Sequence, residues 1–279
     1  STINYLNYQK QYTTRDHGAT LLSPWGNINA VTRSNTNNKY VAFNAYVEYE
    51  KNLGKHYLKA LAGFNQEFGG NNWFQAQRRN LINNDIPYIN VATGDQYAYD
   101  ATSEIAIRGV FSRLNYSFNN RYLIELDGRY DGSSRFPKDN RFAFFPSVSA
   151  GWRIANEAFF EPLKNIINDL KIRASYGNLG NQAVSSYYPY IATYGIGQVN
   201  YLFGGNSLMT VYAPGLVSPT LTWEKVAQYN IGVDFSILEN KLSGSVDIYE
   251  RITTDMLTKA KSLPSILGTN EPQTNAADL

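Results

Sequence analysis

The chain has no cysteine, only two histidines and no apolar run long enough for a membrane-spanning helix, and each absence removes a class of function. Without cysteine there are no disulfides, thiolate metal sites or cysteine nucleophiles. His17 and His56 lie far apart in the chain, which leaves histidine-based metal or triad chemistry little to work with. A spanning helix needs about 20 consecutive apolar residues, but a barrel that crosses with strands does not. Lys and Arg total 25 against 23 Asp and Glu, a net charge of +2, so neither a nucleic-acid footprint nor an acidic tail is present. What the chain has in excess is tyrosine: 22 Tyr stand beside 14 Phe and 4 Trp. Tyrosine suits surfaces with one apolar and one wet end, such as interfaces and membrane girdles.

Period-two alternation is the main pattern. In residues 222–237 the odd positions include Trp223, Tyr229, Ile231, Val233 and Phe235, and the even ones Glu224, Gln228, Asn230 and Asp234. After the short "LENK", residues 241–256 resume it, with Leu242, Val246, Ile248 and Ile252 opposite Ser243, Ser245, Asp247 and Arg251. Two such segments joined by so short a polar turn predict a hairpin. Residues 40–50, 55–68, 104–118, 121–131, 141–155 and 169–180 behave alike, which predicts eight strands of about 10 to 15 residues, longer than globular strands usually are.

Alternation alone does not separate a soluble sandwich from an outer-membrane barrel, whose apolar face meets lipid and whose polar face lines the lumen. Strand length and aromatic content favour the barrel. So does the asymmetry of connections: 52–55, 119–121 and 238–241 are short, whereas 69–103, 182–221 and 257–279 are long, as periplasmic turns and extracellular loops should be. One short-end connection is larger. Residues 156–169 space Phe159, Phe160, Leu163, Ile166 and Ile167 as a helix would, behind Pro162, which predicts a short periplasmic helix packed against the barrel mouth.

Few candidate sites stand out. Glu125, Asp127 and Asp131 share a strand face with Arg129, in which carboxylates could serve acid–base or cation chemistry. A lumen-lining charge ladder explains them more simply, so no catalytic residue is assigned and the chain is not expected to be an enzyme. "DGSSRFPKDN" does not place oxygen ligands at alternate positions before a glycine as a calcium loop would, and no metal site or cofactor is assigned. "GNLGNQ" and "GIG" lack the Lys-Ser/Thr and the following helix of phosphate loops and read as bends. In the long 69–103 connection, Trp73, Phe74, Gln75, Tyr88, Asn90, Tyr97 and Tyr99 suit stacking on sugar rings and hydrogen-bonding to hydroxyls, or packing against neighbouring loops. Trp73, Tyr88, Tyr97 and Tyr99, with Arg129 and Asp131 on the lumen side, form the candidate substrate-binding set.

The stretch "LIELDGRYDGSSRFPKDNRFAFFPSVSAGWRIANEAFF" (123–160), with "LKIRASYGNLGNQ" (170–182) and "TLTWEKVAQYNIGVDFSILENKLSGSVDIYERITTDML" (220–257), resembles the SusC-type TonB-dependent transporters of the Bacteroidetes outer membrane, the SusC/RagA-like family. The trailing "LPSILGTNEPQTNAADL" resembles the loop and strand start that follow in that family. The resemblance runs from about residue 38 to the end and implies a segment of a plugged barrel of about 22 strands. It implies import of nutrient oligomers, commonly glycan fragments, though oligosaccharide and peptide both remain open as substrate. The partners it implies are a SusD-like surface lipoprotein, the TonB–ExbB–ExbD system acting through a plug, and outer-membrane lipid. Residues 1–279 are then expected to be part of the barrel domain, with plug and TonB box absent and with 69–103 and 182–221 as extracellular loops. Ser1 leads into polar, Tyr-rich sequence without an apolar leader, so a signal peptide is expected to have been removed or to lie outside these residues. The alternative is a soluble all-β surface glycan-binding module whose Tyr-rich loops do the stacking. A β-rich hydrolase would rest on the carboxylates alone.

Overall fold

The structure is a computed structural model and describes residues 2–22, 29–83, 86–184, 186–259, 264, 266 and 268–279, with only the backbone path of 2–22, 29, 200 and 207 described. Eleven of its thirteen strands are β1 (Thr2–Leu22), β2 (Asn29–Leu53), β3 (His56–Arg79), β4 (Gln96–Phe118), β5 (Tyr122–Ser133), β6 (Phe142–Arg153), β7 (Ile167–Asn181), β8 (Gly195–Phe203), β9 (Asn206–Tyr212), β10 (Glu224–Ile237) and β11 (Leu242–Thr254). The short β12 (Met256–Lys259) and β13 (Gln273–Ala277) complete the order. Nine of them form one sheet in the order β1-β2-β3-β4-β5-β6-β7-β10-β11, with β8–β9 and β12–β13 as separate two-stranded sheets. All eight expected strands are present, and β1 adds a ninth over residues in which no period-two signal was read. The backbone of His17 lies in β1, but its side chain is outside the described residues, as are Ser1, residues 260–262 and residues 263, 265 and 267 of the trailing stretch.

The described residues fall into two compact units. The first holds residues 1–6, 45–65 and 107–279, and the second residues 7–44 and 66–106.

In the first unit, register fixes which side chains share a face, because residues directly opposite on paired strands point the same way. One row runs Arg113–Asp127–Ser147–Gly177–Gln228–Arg251 across β4, β5, β6, β7, β10 and β11. The next runs Asn115–Glu125–Ser149–Ser175–Asn230–Tyr249. On the opposite face the rows read Tyr116–Ile124–Ala150–Ala174–Ile231–Ile248 and Phe118–Tyr122–Trp152–Ile172–Val233–Val246. Odd positions of β5 and even positions of β10 therefore line the same polar face, as the alternation predicts. The apolar face is the bare one: Ile231 is 63% and Ile248 77% exposed. A soluble sandwich would bury that face, so its exposure decides against one.

Short connections are tight. Between β4 and β5, Asn119 and Asn120 both take left-handed φ (51° and 54°) and the Arg121 amide donates to the Phe118 carbonyl at 3.0 Å, a two-residue turn whose twist suits a hairpin. Between β10 and β11, Glu239 and Asn240 do the same at 55° and 65°, with the Lys241 amide donating to Leu238 at 3.1 Å.

Three expectations need correction. Residues 154–163 form two 3-10 turns, Ile154–Asn156 and Ala158–Leu163, in place of a helix over 156–169. Pro162 sits inside the second turn and Ile167 already opens β7, so too few residues remain for an α-helix; only Phe160 of its large apolar residues is buried. The 69–103 connection is shorter than expected, because β3 continues to Arg79 and β4 starts at Gln96. Its polar flanks pair through side chains, with Asn72 donating to Thr102 at 3.1 Å and Gln77 to Thr32 at 3.1 Å, so strand persists where apolar alternation has faded. The "GIG" bend is the start of β8, and β8–β9 is a hairpin inside the 182–221 connection.

Candidate functional site: a charged, aromatic-backed cleft on the polar face

The turn 134–141 and the residues before β10 build a small core at the end of the polar face. Phe136, Phe145, Leu221 and Trp223 are all buried there, with Ala143, Val184 and Leu257 against them. Trp223 is 4% exposed, its ring 5.1 Å from Phe136 and 5.5 Å edge-on from Phe145, and its indole N–H donates to the Arg141 carbonyl at 2.9 Å. This corrects the placement of Trp223 on the lipid-side face: β10 begins at Glu224, so strand alternation does not bind the residue before it, and burying its indole beside a carbonyl partner wins. Phe145 reaches this core because Gly180 leaves the space its ring fills; a β-carbon there would meet the ring directly.

Below that core lies a cleft of about 540 Å³. Its polar wall is the predicted ladder. Arg113 donates to Asp127 at 2.6 Å, and Arg129 grips Asp131 with two bonds, Nε to Oδ2 at 2.9 Å and Nη2 to Oδ1 at 3.0 Å. Asp131 is nearly buried, and its carboxylate occupies the space that a side chain at Gly109 would need. The Arg129 guanidinium also lies 5.4 Å from the Phe111 ring centre. Arg129 is thus held by Asp131 and the Phe111 ring while half its side chain remains exposed. A guanidinium so fixed presents donors to hydroxyl, carboxylate or amide oxygens with little rotamer entropy left to lose. Further along the same face, Arg173 bridges Asp234 (3.2 Å) and Asp247 (2.7 Å), and Lys171 joins Asp234 at 3.5 Å. Asp127, Asp131, Asp234 and Asp247 each have a cation beside them, and that is a ladder's arrangement.

Of the six candidate residues, Arg129 and Asp131 fall in this cleft. The other four belong to the second unit. Trp73 lies half-buried on β3 and Tyr97 half-buried on β4, with the Arg79 guanidinium 4.9 Å from the Tyr97 ring centre. Tyr99 and Tyr88 are exposed, on β4 and just before the 3-10 turn Ile89–Val91. The connection that carries Tyr88 is pinned: Gly94 and Thr93 amides donate to Arg79 and Asn80 at 2.9 Å, and Arg78 reaches the Gly94 carbonyl at 3.1 Å. Val31, Leu81 and Ala92 form a core beneath it. The Phe136–Phe145–Leu221–Trp223 core was not foreseen as one unit. Its signal in the sequence is the set of aromatic residues, Phe136 and Phe145, that flank Pro137 and Pro146.

At the short-connection end, the turn residue Glu157 accepts from the Trp152 indole at 3.1 Å and from Arg121 at 3.1 Å. Hydrogen bonds from the Tyr122 hydroxyl first and the Trp152 indole next hold its carboxyl below the usual glutamate range, and the Arg121 charge adds to them.

A family model described as TonB dependent receptor-like, beta-barrel matches residues 1–278. The TonB-dependent receptor SusC of Bacteroides thetaiotaomicron is 34% identical over 238 residues, and the TonB-dependent receptor P3 of Formosa agariphila 31% identical over 236 residues, each covering 84% of this chain. The RagAB peptide importer in its closed-closed state aligns over 99% of this chain with a TM-score of 0.88 at 25% identity. This chain spans 23% of the length of those two receptors and 31% of that importer chain. Long antiparallel strands, an exposed apolar face, a charged opposite face and these likenesses agree, and the chain belongs to the TonB-dependent receptor β-barrel family as a homologue of SusC.

Proposed function

We propose that the protein to which this segment belongs is an outer-membrane importer that takes up nutrient oligomers, glycan or peptide fragments, in a TonB-dependent step. The observation that carries the reading is the inverted sheet: large apolar side chains are the exposed ones, while charged residues sit on the more covered face. Eight residue steps separate the Tyr122–Trp152 row from the Tyr130–Phe144 row, about 27 Å along a strand and about 20 Å across a bilayer at a tilt near 40°. That approaches the height of a lipid-facing band, with aromatic rows at both limits.

Arg129, positioned by Asp131, is the residue we assign to substrate contact in the lumen, with Arg113 beside it. Tyr88 and Tyr99 are the exposed aromatic faces of the second unit that we assign to a sugar ring or peptide, with half-buried Trp73 and Tyr97 in the same unit. A glycan is favoured over a peptide by the paired, neutralised charges, which hydrogen-bond hydroxyls without demanding a charged ligand. A SusD-like lipoprotein at the long-connection end is supported by the β8–β9 hairpin, where Tyr194, Ile196, Tyr201, Leu202, Phe203 and Met209 are all exposed. TonB–ExbB–ExbD would act through a plug outside these residues.

The test is uptake. Deleting the gene of the parent protein abolishes growth on an oligomeric nutrient but not on its monomer, and Arg129→Ala in the restored gene slows uptake of the labelled oligomer. Recovery of the parent protein in the soluble fraction without detergent would sink the reading.

A further inference from the structure

The turn joining β6 to β7 does not tuck its apolar residues away. Phe159 is 65% and Ile166 63% exposed, and Leu163 is exposed between them. Three large apolar residues bared in one short turn is a cost no water-facing loop should carry without a partner. The direction in which Phe159 faces is fixed by a ring contact. Phe159 meets the Trp152 ring edge-on at 6.4 Å, and Trp152 belongs to the bare apolar face of the sheet, stacked on Tyr122, which is stacked in turn on Phe118. At the other end of the turn, the Leu238 amide donates to the Ile166 carbonyl at 3.2 Å, which sets exposed Leu238 of the β10–β11 turn beside it. Phe118, Tyr122, Trp152 and Phe159 therefore form one aromatic line, and Leu163, Ile166 and Leu238 extend the apolar surface past the strand ends. Lys164, paired with Glu161 at 2.7 Å, places an ammonium among these residues, and a lysine stem can lie along apolar matter while its head stays at the polar boundary.

We infer that the 158–166 turn is a foot that rests in the periplasmic leaflet, with Phe159, Leu163 and Ile166 seated at the boundary between headgroups and acyl chains. The occupant is phospholipid, and three features select it. The bared surface is continuous with the lipid-facing band. The turn connects β6 and β7, which have β5 and β10 as their outer neighbours, so no further barrel strand can come between to cover it. Aromatic, aliphatic and lysine residues together are the composition of an interfacial segment. Glu157 fixes the foot's angle: it leads into the turn and is tied to Tyr122, Trp152 and Arg121. The foot thereby sets the depth at which the barrel wall stands in the membrane at this point, beyond what the spanning strands alone define.

This inference rests on the membrane-barrel reading, and the experiment separates the two. Phe159→Cys, Ile166→Cys, Ile124→Cys and Asp139→Cys are made singly in the full-length protein, each with a nitroxide label, in phosphatidylethanolamine and phosphatidylglycerol vesicles. Collision with dissolved oxygen is compared with collision with a water-soluble nickel chelate. Labels at 159 and 166 are expected to favour oxygen several-fold over what the label at 139 records, at a shallower depth than the label at 124. Water-like values at 159 and 166 with a lipid-like value at 124 overturn the foot and leave the barrel standing. Water-like values at 124 as well overturn both. Labels at 159 and 166 shielded from both reagents reveal a protein partner on the turn and also overturn the lipid assignment.

Discussion

Asp131 gives both carboxylate oxygens to Arg129 and takes the space in front of Gly109, so one aspartate positions the cation that faces the cleft. The charges were legible in the alternation of 121–131; the glycine on β4 that makes room for them was not, because its reason, Asp131, lies on β5, across the sheet. Glu157 is the other residue whose role needs the fold. In the chain it is one acid in "NEAFFE", yet in the structure it accepts from Tyr122, Trp152 and Arg121. Its folded pKa lies below its unfolded one, so its ionised form is favoured by folding. The stabilisation is complete above the unfolded glutamate value of about 4.3 and fades as pH falls through the lower folded value. Glu157→Gln keeps one acceptor oxygen but loses the charge. Denaturant midpoints measured in detergent should separate the two proteins at neutral pH and converge in acid. A gap that stays constant to the lowest pH would mean the charge contributes nothing.

At the scale of elements, the expectation succeeded where one face is apolar and the other polar, since only there does a period of two leave a trace. β5, β6, β7, β10 and β11 meet that condition over most of their length, with exceptions such as Phe145 and Val226 on the polar face and Glu250 on the apolar one. β1 and the outer parts of β2, β3 and β4 do not: polar residues such as Asn71, Asn72 and Gln77 lie on strand that no lipid face marks, and side-chain pairs hold it instead. The β8–β9 hairpin escaped because Gly195 and Gly197 signal a break more loudly than a strand. The two faces are unequal in what they tolerate. Leu126→Arg puts a charge at mid-band on the bare face and should destabilise the parent protein by about 2–4 kcal/mol in lipid. Ser149→Arg, on the paired strand but the polar face, should cost less than about 1 kcal/mol. Unfolding by guanidinium in vesicles measures both, and equal costs would refute the assignment of faces.

For the whole molecule, the nine-stranded order ends at β1 on one side and β11 on the other. A barrel has no edges, and the curvature of one with about 22 strands does not let nine close on themselves. The resemblance supplied the size of the parent barrel, which no count of strands within these residues could supply, whereas the two-faced pattern that suits a barrel wall was readable directly. The same pair of facts sets how this segment behaves by itself. A continuous apolar face must leave water, and two strand edges offer unpaired donors and acceptors to any neighbour. Expressed alone, the 279-residue chain should give a β-rich circular dichroism spectrum yet sediment as large aggregates in buffer. Detergent should disperse it, because micelles cover the apolar face, but should leave it without the resistance to SDS that a closed barrel has, because the edges remain. A monodisperse monomer in buffer without detergent would overturn this and revive the soluble glycan-binding alternative, since only a sheet whose apolar face is covered by its own chain could behave that way.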